Sequence, residues 1–324
     1  MTLPAPVWAS IFGFLEVEET LTRCRPVCRQ FRGLRAYRSH LCLLNLGHVA
    51  ASVLDSVQVA HVRSLTVSSD VDLERLGVLY NVRVLDIVNE SFPHVRCPKA
   101  RVLPRVYPQL EALYVRYFAL VQTDLEAWSV LSLRKLDLRR STLKGVDLRV
   151  LGHMSTLETL VLSSTNLCAD QVAVVGSLTN LRYLDLSRNP LDDQVLGSLR
   201  TLTRLEFLRL ARLVVTDRGV LQLAALEHLC VLDLSHTFVT GVLAPLKSVK
   251  ILTLTGCSDI EGQLTLPAGL RSLSLSGCRN LTAASVSALR VCADLEHLDI
   301  SGIPGGLLRV VALNAPRLKT LTSD

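Results

Sequence analysis

The sequence predicts an α/β solenoid, an arc or horseshoe of about thirteen stacked units over residues 41–324, with a small all-helical module ahead of it over residues 1–40. Three observations predict it. Leucine fills 66 of the 324 positions while aromatics make up only 5%, a usage far from that of ordinary globular domains. An apolar pattern, L-x-x-L-x-L with Val or Ile allowed, recurs along nearly the whole chain. The first forty residues lack that pattern and carry apolar residues at helical spacing instead.

The copies begin at Leu41, Val62, Val82, Leu110, Leu133, Leu157, Leu181, Leu205, Leu229, Val249, Leu270 and Leu295, with a truncated LKTL at Leu318. Successive starts are 20–28 residues apart. The pattern is identified as the leucine-rich repeat. Its L-x-L portion alternates, so each copy supplies a short strand with leucines inward and the intervening residues outward. A single unit cannot bury its apolar face, and stacking turns the faces into one continuous core. Every unit fills the same narrow interior, which favours leucine over aromatics.

After the strand each unit needs a return segment. Asp192-Asp193 before Val195, Leu196 and Leu199, and Thr216-Asp217 before Val220, Leu221 and Leu223, read as capped short helices. The ninth position sits at the turn out of the strand: Ser141, Thr165, Asn189, Thr237, Cys257 and Cys278, with Leu213 and Ile303 as exceptions. Small polar residues and cysteine suit a buried turn, and the LTLTGC and LSLSGC units resemble the cysteine-containing class of these repeats. Cys257 and Cys278 are read as structural. The 28-residue unit from Val82 holds Pro93, Pro98, Pro104 and Pro108 with Arg96, Lys99, Arg101 and Arg105, and is expected to form an irregular convex or rim loop, solvated or partner-binding.

Composition excludes several classes. A net charge of +6 is too mild to make nucleic acid the expected partner. No uncharged apolar run reaches the roughly 18 residues of a membrane span, and the opening stretch lacks the basic start and small-residue cleavage site of a signal peptide. The nine cysteines are odd in number and without CxxC spacing, which argues against a disulfide framework and a zinc site. No phosphate loop, HExxH or GxSxG is present. His297 and Asp299 alternate on one strand with no nucleophile placed to join them. The expectation is a protein that is no enzyme, with no metal and no cofactor.

The N-terminal segment runs LPAPVWASIFGFLEVEETLTRCRPVCRQFRGL from Leu3 to Leu34. It resembles an F-box at Leu3, Pro4, Val7, Ile11, Phe12, Phe14, Leu15, Leu21, Cys24, Arg25, Val27, Cys28, Arg29, Phe31, Arg32 and Leu34. Pro26 is expected to mark a break or the first turn between two helices. The resemblance implies an F-box/leucine-rich-repeat protein, with Leu3, Pro4, Val7, Ile11, Phe12, Leu15, Leu21, Val27, Cys28 and Phe31 docking on a Skp-type adaptor, and through it on a cullin, in an SCF-type ubiquitin ligase. The alternative is an amphipathic cap on a repeat scaffold or inhibitor unconnected with ubiquitin. Either would reside in the cytoplasm, the nucleus or both.

Third, fifth and seventh positions should line the concave face, in rows whose neighbours lie about 4.8 Å apart. Arg209 then falls between Asp185 and Asp233, with Tyr183 and Phe207 side by side above a floor of Ser163, Ser187, Ala211 and Ser235. Tyr114, Arg116, Lys135, Arg139 and Arg140 make a more basic patch, and Arg116, Arg139 and Arg140 are the candidates to hold a phosphorylated partner or a polyphosphate. Two exposed aromatics and a charged triplet predict a site for a protein substrate, centred on Tyr114, Arg116, Arg139, Tyr183, Asp185, Phe207, Arg209 and Asp233. The mechanism expected is proximity, which raises the local concentration of two parties bound by one chain.

Overall fold

Strands begin two residues after the start of each repeat copy, from Leu43–Leu46 through Tyr183–Asp185 and Phe207–Arg209 to Thr320–Thr322. They form one thirteen-stranded parallel sheet whose spatial order is the chain order. The structure is a computed structural model, and it describes residues 43–46, 63–69, 73, 81–89, 95–97, 100–262, 264–303, 307, 311, 314–315 and 317–323. The module expected over residues 1–40 lies outside these.

Equivalent repeat positions pair without slippage. Tyr183, Phe207 and Val231 align at the third position, and Asp185, Arg209 and Asp233 at the fifth. The first, fourth and sixth positions supply the core: Leu181, Leu184 and Leu186, and Leu205, Leu208 and Leu210, are all fully buried. Burial of a leucine side chain stabilises by roughly 1.5–3 kcal/mol, so a core with one repeating leucine ladder is long rather than thick.

The convex side is built from short return helices. Ala169–Val175 is α-helical, and Asp193–Thr201 is a 3-10 helix opened by Asp192, whose side chain accepts the Gln194 N–H. Asp217–Val220 is opened by Thr216, whose hydroxyl accepts the Arg218 N–H. Both expected caps are thus in place. The units from Leu229 and Val249, 20 and 21 residues long, return through turns, with no helix among their described residues. Three or four residues fewer leave no room for a helical turn.

The long unit from Val82 differs from its expectation as a solvated loop. Val95–Arg96 pairs in parallel with Phe118–Ala119. Ala100–Val102 and Leu103–Val106 are helical, with Pro104 in the first turn, where a missing N–H costs nothing. Cys97, Ala100, Leu103, Val106 and Tyr107 are buried. Trp128, from the helix Gln122–Trp128, is fully buried against them and donates its indole N–H to the Ala100 carbonyl at 2.9 Å. The described extra residues thicken the convex wall, because their apolar members turn inward; Pro93, Pro98 and Lys99 lie outside the described residues.

Candidate partner-binding face

The concave face carries the outward residues of the strands, and the fifth-position aspartates have a structural task there. Asp137 accepts the N–H of Arg139 at 3.1 Å, Asp185 that of Ser187 at 3.0 Å, Asp233 that of Ser235 at 3.0 Å and Asp299 that of Ser301 at 3.1 Å. Each carboxylate caps the backbone two residues on, where the strand ends, as Asp does in local turns. The LDL spelling of these repeats is therefore a strand terminator. Asp299 is taken up in this way, and His297 bonds instead to Thr320 through Nδ1 at 2.5 Å.

Arginines bridge these carboxylates. Arg116 reaches Asp86 of the preceding repeat at 2.6 Å, Arg139 reaches Asp137 at 2.8 Å, and Arg209 reaches Asp233 of the following repeat at 3.5 Å. Arg209 also bonds to the Tyr183 phenol, whose acidity burial lowers by pushing its pKa up. Tyr183 and Phe207 stack with centroids 6.1 Å apart and 30° between planes. Tyr114 lies beneath Arg116 and Lys135, at 5.5 and 5.1 Å from its ring centroid.

Exposure corrects part of the expected site. Tyr114, Asp185 and Phe207 are only 6%, 6% and 7% exposed. Strands this close pack large neighbouring side chains flank to flank, and Asp185 is drawn down to its own turn. The aromatics line the face more than they project from it. Arg209 and, in part, Tyr183, Asp233, Arg139 and Arg116 remain accessible. The adaptor-docking residues Leu3, Pro4, Val7, Ile11, Phe12, Leu15, Leu21, Val27, Cys28 and Phe31 lie outside the described residues.

The ninth position is a buried hydrogen-bonding node. Asn189, 4% exposed, accepts from the N–H groups of Thr165 and Leu167 and donates to the carbonyls of Leu162 and Leu186. Cys257 and Cys278 donate from sulfur to Leu234 and Leu254 carbonyls at 3.1 and 3.0 Å. Burial pushes the Cys278 thiol up to about 12.

One regularity escaped the sequence reading. The eighth position is left-handed in nine successive repeats, at Tyr117, Arg140, Ser164, Arg188, Arg212, His236, Gly256, Gly277 and Gly302, with φ from 57° to 69°. In this conformation each N–H from Arg140 to Gly277 reaches the seventh-position carbonyl of the next repeat at 2.7–2.9 Å. The glycines of the last three of these repeats were the available signal.

Among the described residues no group of three or more His, Cys, Asp or Glu could hold a metal ion, and no helix is long and apolar enough to cross a membrane.

The leucine rich repeat family matches residues 131–191 of the chain, and no match to the F-box family was found. No curated protein matches. Among solved structures, an internalin from Listeria monocytogenes is similar at 15% identity and a TM-score of 0.50, over 82% of this chain and 81% of that one. Mouse RP105, in its complex with MD-1, is similar at 18% identity and a TM-score of 0.51, over 81% of this chain and 55% of that one. At these identities the likeness is one of fold.

Proposed function

We propose that this leucine-rich-repeat protein is a protein-interaction scaffold, holding a protein partner on the concave face of its sheet and performing no chemistry of its own. The observation that carries the reading is the uninterrupted thirteen-stranded parallel sheet. At about 4.8 Å per strand it offers roughly 60 Å of continuous surface along the arc, enough for an ordinary specific interface. The half-buried Tyr183, stacked on a buried Phe207 and beside the accessible Arg209, supplies residue types that anchor such interfaces. RP105, with a similar fold, was solved together with MD-1.

The test is affinity purification of the tagged full chain against Arg209→Glu combined with Tyr183→Asp, with circular dichroism to confirm folding. Loss of specific partners from the folded variant supports the concave face. An unchanged partner set refutes it.

A second reading rests on the N-terminal sequence. Leu3-Pro4 and Val27-Cys28-Arg29-Gln30-Phe31 ahead of the repeats resemble an F-box, under which the scaffold is the substrate-recognition subunit of an SCF-type ubiquitin ligase in the cytoplasm or nucleus. Full chain and chain lacking residues 1–40 are compared for recovery of a Skp-type adaptor and cullin. Loss on deletion supports this reading; absence of the adaptor from both ends it.

A further inference from the structure

The two rims of the sheet differ in how they handle charge. At the strand-entry rim the second repeat position alternates in sign and pairs with itself: Arg83 with Glu111, Arg134 with Glu158 at 2.6 Å, and Arg182 with Glu206 at 2.6 Å. Among the described residues the strand-exit rim has no such pairing within one position, although the seventh-position Arg116 and Arg139 reach Asp86 and Asp137 on the concave face. From Arg116 to Phe238 the seventh to tenth positions of six successive repeats hold no acidic residue. Their eighth positions hold Arg140, Arg188 and Arg212, all exposed. Arg140 lies over the Tyr117 ring at 5.4 Å. Among the described residues Arg188 and Arg212 make no ion pair.

These arginines occupy left-handed backbone, φ 58°, 59° and 61°. A non-glycine residue there costs roughly 1–2 kcal/mol, and the same fold position is glycine in the three repeats that follow, at Gly256, Gly277 and Gly302. Tyr117, Ser164 and His236 share this left-handed position, so the turn itself imposes it, and what sets the arginines apart is their charge and exposure. A second row runs alongside. The buried ninth residue separates the eighth from the tenth, so both flanking side chains face outward. The tenth positions are Ala119, Thr142 and Asn166 in the first three of these repeats and Pro190, Val214 and Phe238 in the last three, with Val214 57% and Phe238 50% exposed. Beyond Val214 stand Asp192, Asp193 and Arg218, the two carboxylates accepting from Gln194 and Thr216.

We propose that this rim binds an extended acidic peptide with alternating large apolar side chains, its carboxylates along Arg140, Arg188 and Arg212 and its apolar side chains on Val214 and Phe238. The proposal rests on the scaffold reading and assigns it a second surface and a partner chemistry. An extended chain sends successive side chains to opposite sides, which matches a peptide lying between a basic row and an apolar one. Arg140 to Phe238 spans four repeat steps of about 4.8 Å, roughly 19 Å, or about six extended residues at 3.3 Å each. Aliphatic Val214 and Pro190 in the second row favour a peptide over a nucleic acid, whose bases would seek aromatic platforms.

The experiment is fluorescence anisotropy of the full chain with a fluorescein-labelled eight-residue peptide alternating glutamate and leucine. Glutamine-for-glutamate and serine-for-leucine versions, and a labelled twelve-nucleotide single-stranded RNA, are run beside it. Saturable binding of the first peptide, weakened at least tenfold by Arg188→Gln with Arg212→Gln and severalfold by Val214→Ser with Phe238→Ser, supports the proposal. Arg200→Gln with Arg204→Gln, outside both rows, serves as the unaffected control. The proposal is overturned by absence of saturable binding, by equal binding of the glutamine peptide, or by RNA binding more tightly through the same arginines. Should Arg209→Glu abolish peptide binding while the Arg188 and Arg212 changes do not, the rim is excluded and the concave-face scaffold stands.

Discussion

Asn189→Ala tests how these repeats are held together at their turns. The side chain is 4% exposed and makes four hydrogen bonds of 2.8–3.1 Å, two accepted from Thr165 and Leu167 N–H and two donated to Leu162 and Leu186 carbonyls. Those backbone groups belong to two adjoining repeats, so one residue stitches the units from Leu157 and Leu181 together. Alanine would remove all four bonds, leaving the Thr165 and Leu167 N–H groups and the Leu186 carbonyl without this partner, while the Leu162 carbonyl keeps the Thr165 hydroxyl at 2.6 Å. At a net worth of about 1 kcal/mol per bond, with a range of about 0.5–1.5, the loss is about 4 kcal/mol, between about 2 and 6. Asn189→Cys introduces a residue that serves the same turn at Cys257 and Cys278, where sulfur donates to one carbonyl. It should recover one of the four bonds and fall between alanine and the native chain. Chemical denaturation gives the difference, and amide hydrogen exchange shows whether opening concentrates in these two repeats, since solenoid stability sums over neighbours. An alanine variant within about 1 kcal/mol of the native chain, or exchange spread evenly over the arc, would refute the reasoning.

Three further outcomes are expected. Gly256 has φ +68°, and a Cβ there would lie 2.4 Å from His236 Nδ1; Gly256→Ala should cost about 1–3 kcal/mol, and less in a His236→Ala background, as a double-mutant cycle by denaturation will show. Cys168 and Cys230 are exposed, whereas Cys97, Cys257, Cys278 and Cys292 are buried, burial pushing Cys97 up to about 12 and Cys292 to about 11. Iodoacetamide at pH 8, read by mass spectrometry, should modify the first two of these six and spare the rest until denaturant is added. Burial raises the Asp124 carboxyl above its ordinary 3.8, so the native state holds that proton more tightly than the unfolded chain does. Its contribution to stability therefore declines as pH rises from 3.8 through the raised value. Asp124→Asn should remove that slope from denaturation midpoints measured across the acidic range; an unchanged slope contradicts it.

Much of the candidate face was legible because repeat position predicts sheet register. Arg209 between Asp185 and Asp233 could be placed by counting residues, and the stacking of Tyr183 on Phe207 by the same count. Their exposure could not, since it depends on side chains of neighbouring strands closing around Phe207 and on Asp185 turning to cap Ser187. The prolines of the long unit were misleading for a similar reason. Pro104 breaks helix periodicity in the sequence but is tolerated in a first turn, and Trp128, some twenty residues later, supplies the packing partner.

The sequence by itself determined the architecture: a leucine ladder at fixed spacing admits one strand per unit, a parallel sheet in chain order and a core one leucine deep. Local chemistry also fixed the caps at Asp192 and Thr216 and the buried ninth-position turn. The tertiary structure decided which outward residues are available. Left-handed backbone at the eighth position is a property of each turn's geometry, visible in sequence only where glycine fills it. Rows such as Arg188 and Arg212 beside Val214 and Phe238 exist only because stacking brings residues 24 apart into register. Repetition encodes the scaffold, while the departures from repetition, read across neighbouring turns, make its surface.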